Sequence, residues 1–85
     1  MAFYTYILFS EKTNKYYIGS TQDIDKRIEK HNAGATISTK SGRPWKVVYY
    51  EEFNSKSEAI KRENYLKRMK SRVFIESLIN KSSDG

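Results

Sequence analysis

Two runs rich in aromatic and β-branched residues, 3–9 and 15–20, lie on either side of one short polar stretch, and no other feature limits the fold as tightly. Such runs bounded by turn residues read as the two strands of a hairpin. With Ser10-Glu11-Lys12-Thr13 as a four-residue turn, Phe9 pairs with Asn14, and the same register sets Tyr6 opposite Tyr17 on one face of the sheet. A slip by one residue would turn every side chain to the other face. Gly19 near the end of the second strand has no side chain, so either the backbone bends there or another group approaches closely.

A chain of 85 residues forms one domain, expected over residues 1–80 and followed by a polar, disordered tail over 81–85. Such a chain buries only about 60–65% of the surface its unfolded form exposes, so a few large rings must build much of the core. The sequence has no cysteine and one histidine, which excludes disulfides, thiolate zinc sites and a histidine cluster. A metal would therefore have to be bound by oxygen. No apolar run approaches the roughly 18 residues of a membrane span, and Met1-Ala2-Phe3 enters a strand without a charged leader, so a soluble cytoplasmic protein is expected.

The net charge of +6 points to an anionic partner such as nucleic acid. Six of the sixteen cations fall within residues 61–72, where Glu63 is the one acid. Taken alone, that cluster fits a solvated helix face equally well. Lys40, Arg43, Lys46, Lys67 and Lys70 are the candidate nucleic-acid contacts.

Further along, Ser20-Thr21-Gln22-Asp23 fits a capping box that opens a helix ending near Ala33, with Gly34 as its left-handed stop. Ile24 and Ile28 form the apolar stripe of that helix, and the positions completing it are Arg27 and His31. A snorkelling arginine and a hydrogen-bonded, partly buried histidine would be the structural explanation. Residues 35–44 read as a basic loop. A third strand over 45–53 puts Trp45, Val47 and Tyr49 on one face, with Val48 and Tyr50 on the other. Ser55 and Glu58 form a second capping box and begin a helix to about Met69. Its inward stripe is Ala59, Glu63, Leu66 and Met69 or Lys70, so a carboxylate occupies a core position; an ion pair with Arg62 or Arg27 would be the structural reason. Ser71 can cap a third helix whose Phe74, Ile75, Leu78 and Ile79 close the core. The expected class is α+β, a three-stranded antiparallel sheet flanked by three helices in ββαβαα order.

The residues that break core rules are Tyr6, Tyr17, Arg27, His31 and Glu63, all expected in one layer between sheet and helices. A tyrosine, an arginine and a carboxylate beside a basic groove meet the needs of phosphodiester hydrolysis: deprotonating water, neutralising the phosphorane-like charge, and holding a hard cation. On Tyr6-Ile7-Leu8, Tyr17-Ile18-Gly19, Arg27 ten residues after Tyr17, His31 four later, Thr39-Lys40, Pro44-Trp45 and Arg62-Glu63, the chain resembles the GIY-YIG nuclease superfamily, in particular its small stand-alone bacterial members.

That resemblance implies a metal-dependent endonuclease or nickase acting on DNA rather than RNA, structured or damaged DNA included, with a single Mg2+ or Mn2+ ion. By position, Tyr6 would be the base and Tyr17 its partner, Arg27 would neutralise the scissile phosphate, His31 would support the water or phosphate, and Glu63 would bind the metal. Two positions depart from the pattern. Tyr4-Thr5-Tyr6 lacks the glycine and isoleucine of the first motif, and Ser20 stands where some active relatives carry a lysine. A nucleic-acid-binding module without turnover is the alternative.

Overall fold

The computed structural model describes residues 2–84. The elements run β1 (Phe3–Ser10), β2 (Lys15–Thr21), α1 (Ile24–Asn32), α2 (Ile37–Lys40), β3 (Trp45–Phe53), α3 (Lys56–Met69) and α4 (Arg72–Asp84). β1 lies between the other strands in a three-stranded sheet of order β2-β1-β3, antiparallel to both. The α+β architecture is the expected one, with the one-turn helix α2 added inside the basic loop.

The hairpin register differs from the expected one by two residues. Ser10 pairs with Lys15, Leu8 with Tyr17 and Tyr6 with Gly19, so the turn is built from residues 11–14. Asn14 takes a left-handed backbone (φ 56°), which asparagine tolerates well, and the buried Ser10 Oγ accepts the Thr13 amide at 3.1 Å. A shift of two keeps each side chain on its face. Tyr6 and Tyr17 thus still share one side of the sheet, with stacked rings 6.5 Å apart, but as diagonal neighbours.

A bulge changes the expected faces of β3. Ile7 pairs with Tyr49 but Leu8 pairs with Val47, leaving Val48 as the extra residue. Val48 and Tyr49 therefore both pack with Ile7, Leu66 and Ile75 under α3 and α4. Trp45 and Val47 stay on the opposite side with Tyr6, Leu8, Tyr17, Ile24 and Ile28, beneath α1. The domain accordingly has two small cores, one on each side of the sheet.

The helices are placed by specific polar contacts. The Thr5 hydroxyl donates to Ala59 O at 2.7 Å and ties α3 to β1. Asn32 clamps the end of α1 to β3, accepting the Trp45 amide at 2.6 Å and donating to Trp45 O at 3.0 Å. Ser55 caps α3 by accepting the Glu58 amide, and Ser71 accepts that of Phe74 at the start of α4. Gly34 supplies the left-handed residue after α1 (φ 81°).

Three further expectations are corrected. β2 continues to Thr21, and Asp23 rather than Ser20 caps α1, accepting the Lys26 amide at 3.1 Å. The buried stripe of α3 ends at Leu66; Met69 is 40% exposed, and Lys70 ends the helix in a left-handed conformation. α4 continues to Asp84, through residues read from sequence as tail, while Gly85 lies outside the described residues. Among the described residues no helix is long and apolar enough to cross a membrane.

Candidate functional site

Tyr6 leaves the central strand towards α1 and crosses the edge strand at Gly19. A Cβ on Gly19 would lie 2.5 Å from the Tyr6 hydroxyl oxygen, so glycine at that rung is what lets the ring pass. Tyr6 itself is only 1% exposed. Burial raises its pKa to about 12; Arg27 opposes the rise, while Tyr17 and Glu63 add to it. Both Arg27 and Glu63 are thus near enough to act electrostatically on the phenol.

His31 stands behind the two tyrosines. Its ring meets Tyr17 edge-on at 4.9 Å, and its Nε2 lies 3.3 Å from the Tyr6 hydroxyl. Nδ1 is 2.8 Å from Thr39 Oγ1, whose own proton goes to Thr36 O. The network assigns the tautomer: Nδ1–H donates to Thr39, and Nε2 accepts from Tyr6. Burial, and secondarily Arg27, lowers the His31 pKa and keeps the ring neutral. His31 is 1% exposed, so it contacts the tyrosines from behind and does not reach solvent where water or phosphate would sit. The α2 turn exists to hold Thr39, which also receives the Trp45 indole N–H on its carbonyl at 2.6 Å.

Glu63 arrives from the opposite side of the sheet. Its Oε1 accepts from Ser20 Oγ at 2.7 Å, and its Oε2 accepts from Lys67 Nζ at 2.6 Å. The expected partners Arg62 and Arg27 do not hold it. Arg62 is instead bidentate with Glu51 at 2.9 and 3.1 Å, and Glu51 also accepts from Tyr49. The polar residues therefore do not share one layer: Tyr6, Tyr17, Arg27 and His31 lie on the α1 side and Glu63 on the α3 side, where Ser20, next to the Gly19 rung, ties it to the β2 edge.

A hollow of about 670 Å³ opens next to this edge, lined by Ser20, Asp23 and Arg27 together with Lys26, Lys30 and Lys56; Tyr6, Tyr17 and Glu63 are not among its lining residues. A second, of about 390 Å³, lies further along β2 between Tyr17, Lys67 and Lys70. Residues 2–76 of the chain match the GIY-YIG catalytic domain model. It belongs to the GIY-YIG family. Among its relatives is a UPF0213 protein of Listeria welshimeri, 39% identical over 73 residues and covering 85% of this chain and 81% of that one. A UPF0213 protein of Clostridium perfringens is 39% identical over 80 residues, 93% of this chain and 85% of the other. The solution NMR structure of the UPF0213 protein BH0048 from Bacillus halodurans superposes with a TM-score of 0.58 at 37% identity, covering 94% of this chain and 84% of that one.

In GIY-YIG terms the second motif, Tyr17-Ile18-Gly19, supplies one ring and the gap beside it, and the first motif keeps its tyrosine as Tyr6. The GIY-YIG family is a nuclease superfamily whose members generally depend on a divalent metal. Among the described residues no group of three or more His, Cys, Asp and Glu side chains comes together. The oxygen donors here are the Glu63 carboxylate and the Ser20 hydroxyl, which suits a hard ion that keeps most of its waters.

Sequence reasoning did not single out Lys26, Lys30 and Lys56 around the larger hollow, nor the contacts of Ser20 and Lys67 with Glu63. The spacing of Lys26 and Lys30 around Arg27 on one helix was the available signal. Of the expected nucleic-acid contacts, Lys67 and Lys70 line the β2 edge. Lys40 ends α2 and is exposed, and Arg43 Nε donates to its carbonyl at 2.9 Å. Lys46 is paired with Glu11 at 2.7 Å beside the hairpin turn, away from Gly19.

Proposed function

We propose that this protein is a divalent-metal-dependent endonuclease or nickase acting on DNA, with its site at the β2 edge. The observation that carries the reading is the convergence of Tyr6 and Arg27 from one side of the sheet with Glu63 from the other, at the one glycine of the strand. Glu63 would hold Mg2+ or Mn2+; bound there, the ion acidifies a water and stabilises the leaving oxygen. Arg27, in a hollow shared with three lysines, neutralises the scissile phosphate.

The tyrosines divide the proton work. Tyr17 is half-buried and orients the attacking water. With its pKa raised to about 12, the Tyr6 phenol is protonated at neutral pH and cannot serve as a free phenolate base. Its hydroxyl is closed to water in this structure, so it could take a proton from water only once the site opens beside Gly19, and only as its own passes to Nε2 of His31, whose neutral imidazole has that lone pair available.

A nucleic-acid-binding module without turnover is the second reading, favoured by the closure of Tyr6 from solvent and by Lys67 on the Glu63 carboxylate. Incubating supercoiled and branched DNA with the protein and Mg2+ or Mn2+ separates the two. Nicked or cleaved product that disappears with a chelator supports the nuclease. Salt-sensitive binding with no product under either metal supports the module and overturns the nuclease.

A further inference from the structure

Both carboxylate oxygens of Glu63 are taken, and the two partners differ in kind. Ser20 is a neighbour in the strand wall and fixes Oε1 at 2.7 Å. Lys67 sits one turn along α3 and brings a full positive charge to 2.6 Å from Oε2. Glu–Lys pairs at this spacing are ordinarily weak because water surrounds both groups. Here the acid is not free in water, since the Glu63 side chain is 17% exposed while that of Lys67 is 49% exposed. A largely buried carboxylate faces a half-exposed ammonium.

Building on the reading of Glu63 as the metal ligand, we propose that Lys67 is a placeholder cation. Its ammonium occupies the carboxylate oxygen in the resting site, lowers the affinity of the DNA-free protein for a divalent ion, and moves to a substrate phosphate when ion and DNA arrive together. Charge requires the exchange. An ion on Oε2 would meet a unit positive charge within a few ångströms, a repulsion relieved only when the lysine leaves.

The surroundings give Lys67 a second place to go. It lines the hollow that also holds Lys70 and Arg72 along the β2 edge, so a released ammonium stays within a basic stretch of that edge. Metal and lysine then compete in the absence of DNA and cooperate in its presence. The device couples metal loading to substrate and keeps the unloaded site electrically satisfied.

The test compares wild type with Lys67→Met, which keeps most of the alkyl chain and removes the charge, and with Lys67→Arg, which restores it. Mn2+ is titrated into each DNA-free protein, read by paramagnetic broadening of backbone amide signals, with helicity checked by circular dichroism. Lys67→Met should bind Mn2+ about fivefold or more tightly than wild type, with broadening centred on residues 19, 20 and 63. Lys67→Arg should return towards wild type. With Ca2+ present, Lys67→Met should weaken duplex DNA binding by a larger factor than it does without a divalent ion, and equal factors in the two conditions overturn the exchange. Site-centred broadening with equal affinity in wild type and Lys67→Met overturns the placeholder while leaving Glu63 as the ligand. Broadening that avoids Glu63 in every protein overturns the metal reading and the placeholder with it.

Discussion

Tyr6 and Gly19 face each other across the β1–β2 ladder, and a methyl group on Gly19 would come within 2.5 Å of the phenol oxygen. That rung therefore does two things: it lets a central-strand ring reach the sheet edge, and it holds the hydroxyl against His31. Replacing Gly19 by alanine forces the ring of a fully buried side chain to move. The expected cost is about 1–3 kcal/mol, a fall in Tm of about 4–8 °C for each kcal/mol in a domain of this size, measured by thermal unfolding. The same substitution should reduce DNA cleavage by more than the loss of folded protein accounts for.

His31 makes stability sensitive to acid. Its folded-state pKa lies below the usual value near 6.5, so neither folded nor unfolded chain binds a proton there at pH 8. As pH falls through the unfolded value, the unfolded chain takes up the proton first and stability declines until the folded-state pKa is passed. Urea unfolding at pH 7.5 and pH 5 should show this loss, and His31→Gln should have a smaller difference between the two. Cleavage by the folded protein should fall only lower, as pH passes the folded-state pKa, because protonated Nε2 can no longer accept from Tyr6.

Thr39 keeps the histidine in its tautomer. Thr39→Val retains the shape of a side chain that is 1% exposed but leaves Nδ1–H without its acceptor. The expected loss is about 1–3 kcal/mol. Activity should fall with kcat reduced and DNA affinity unchanged, which single-turnover and binding measurements distinguish.

The lysines around the site should separate by location. Lys26→Ala with Lys30→Ala should weaken DNA binding and flatten its dependence on salt, by about 0.9 in the log–log slope for each phosphate that is no longer neutralised. Lys46→Ala should leave that slope unchanged, because Lys46 is committed to Glu11 beside the hairpin turn. Filter binding across a salt series measures both.

Much of this arrangement is legible in sequence because alternation and helical stripes carry it. Strand content, both capping serines of α3 and α4, and the glycine after α1 follow from local chemistry that tertiary packing left alone. The same is true of the gap at Gly19. Where longer-range packing decides, local reading fails. The hairpin turn lies one residue later than a simple turn suggests, which shifts the pairing register by two, because Asn14 tolerates a left-handed backbone and Ser10 closes the turn from inside. The bulge at Val48 turns Tyr49 to the α3 side, and no period-two pattern contains it. Ser20 reads as a helix cap by spacing, yet its hydroxyl serves Glu63, a residue 43 positions away. The stripe positions of Arg27, His31 and Glu63 were visible, but not that the carboxylate approaches from the other side of the sheet.

If Glu63 holds the metal that activates hydrolysis at this edge, the reaction should depend on that one carboxylate. The most direct measurement is single-turnover cleavage of a branched or supercoiled DNA over a Mg2+ titration, comparing wild type with Glu63→Gln at saturating protein. The expected result is a metal-dependent wild-type rate and a reduction of about a hundredfold or more in the variant, with DNA binding retained. Equal rates, or a Mg2+ dependence identical in the two proteins, would contradict the assignment of Glu63.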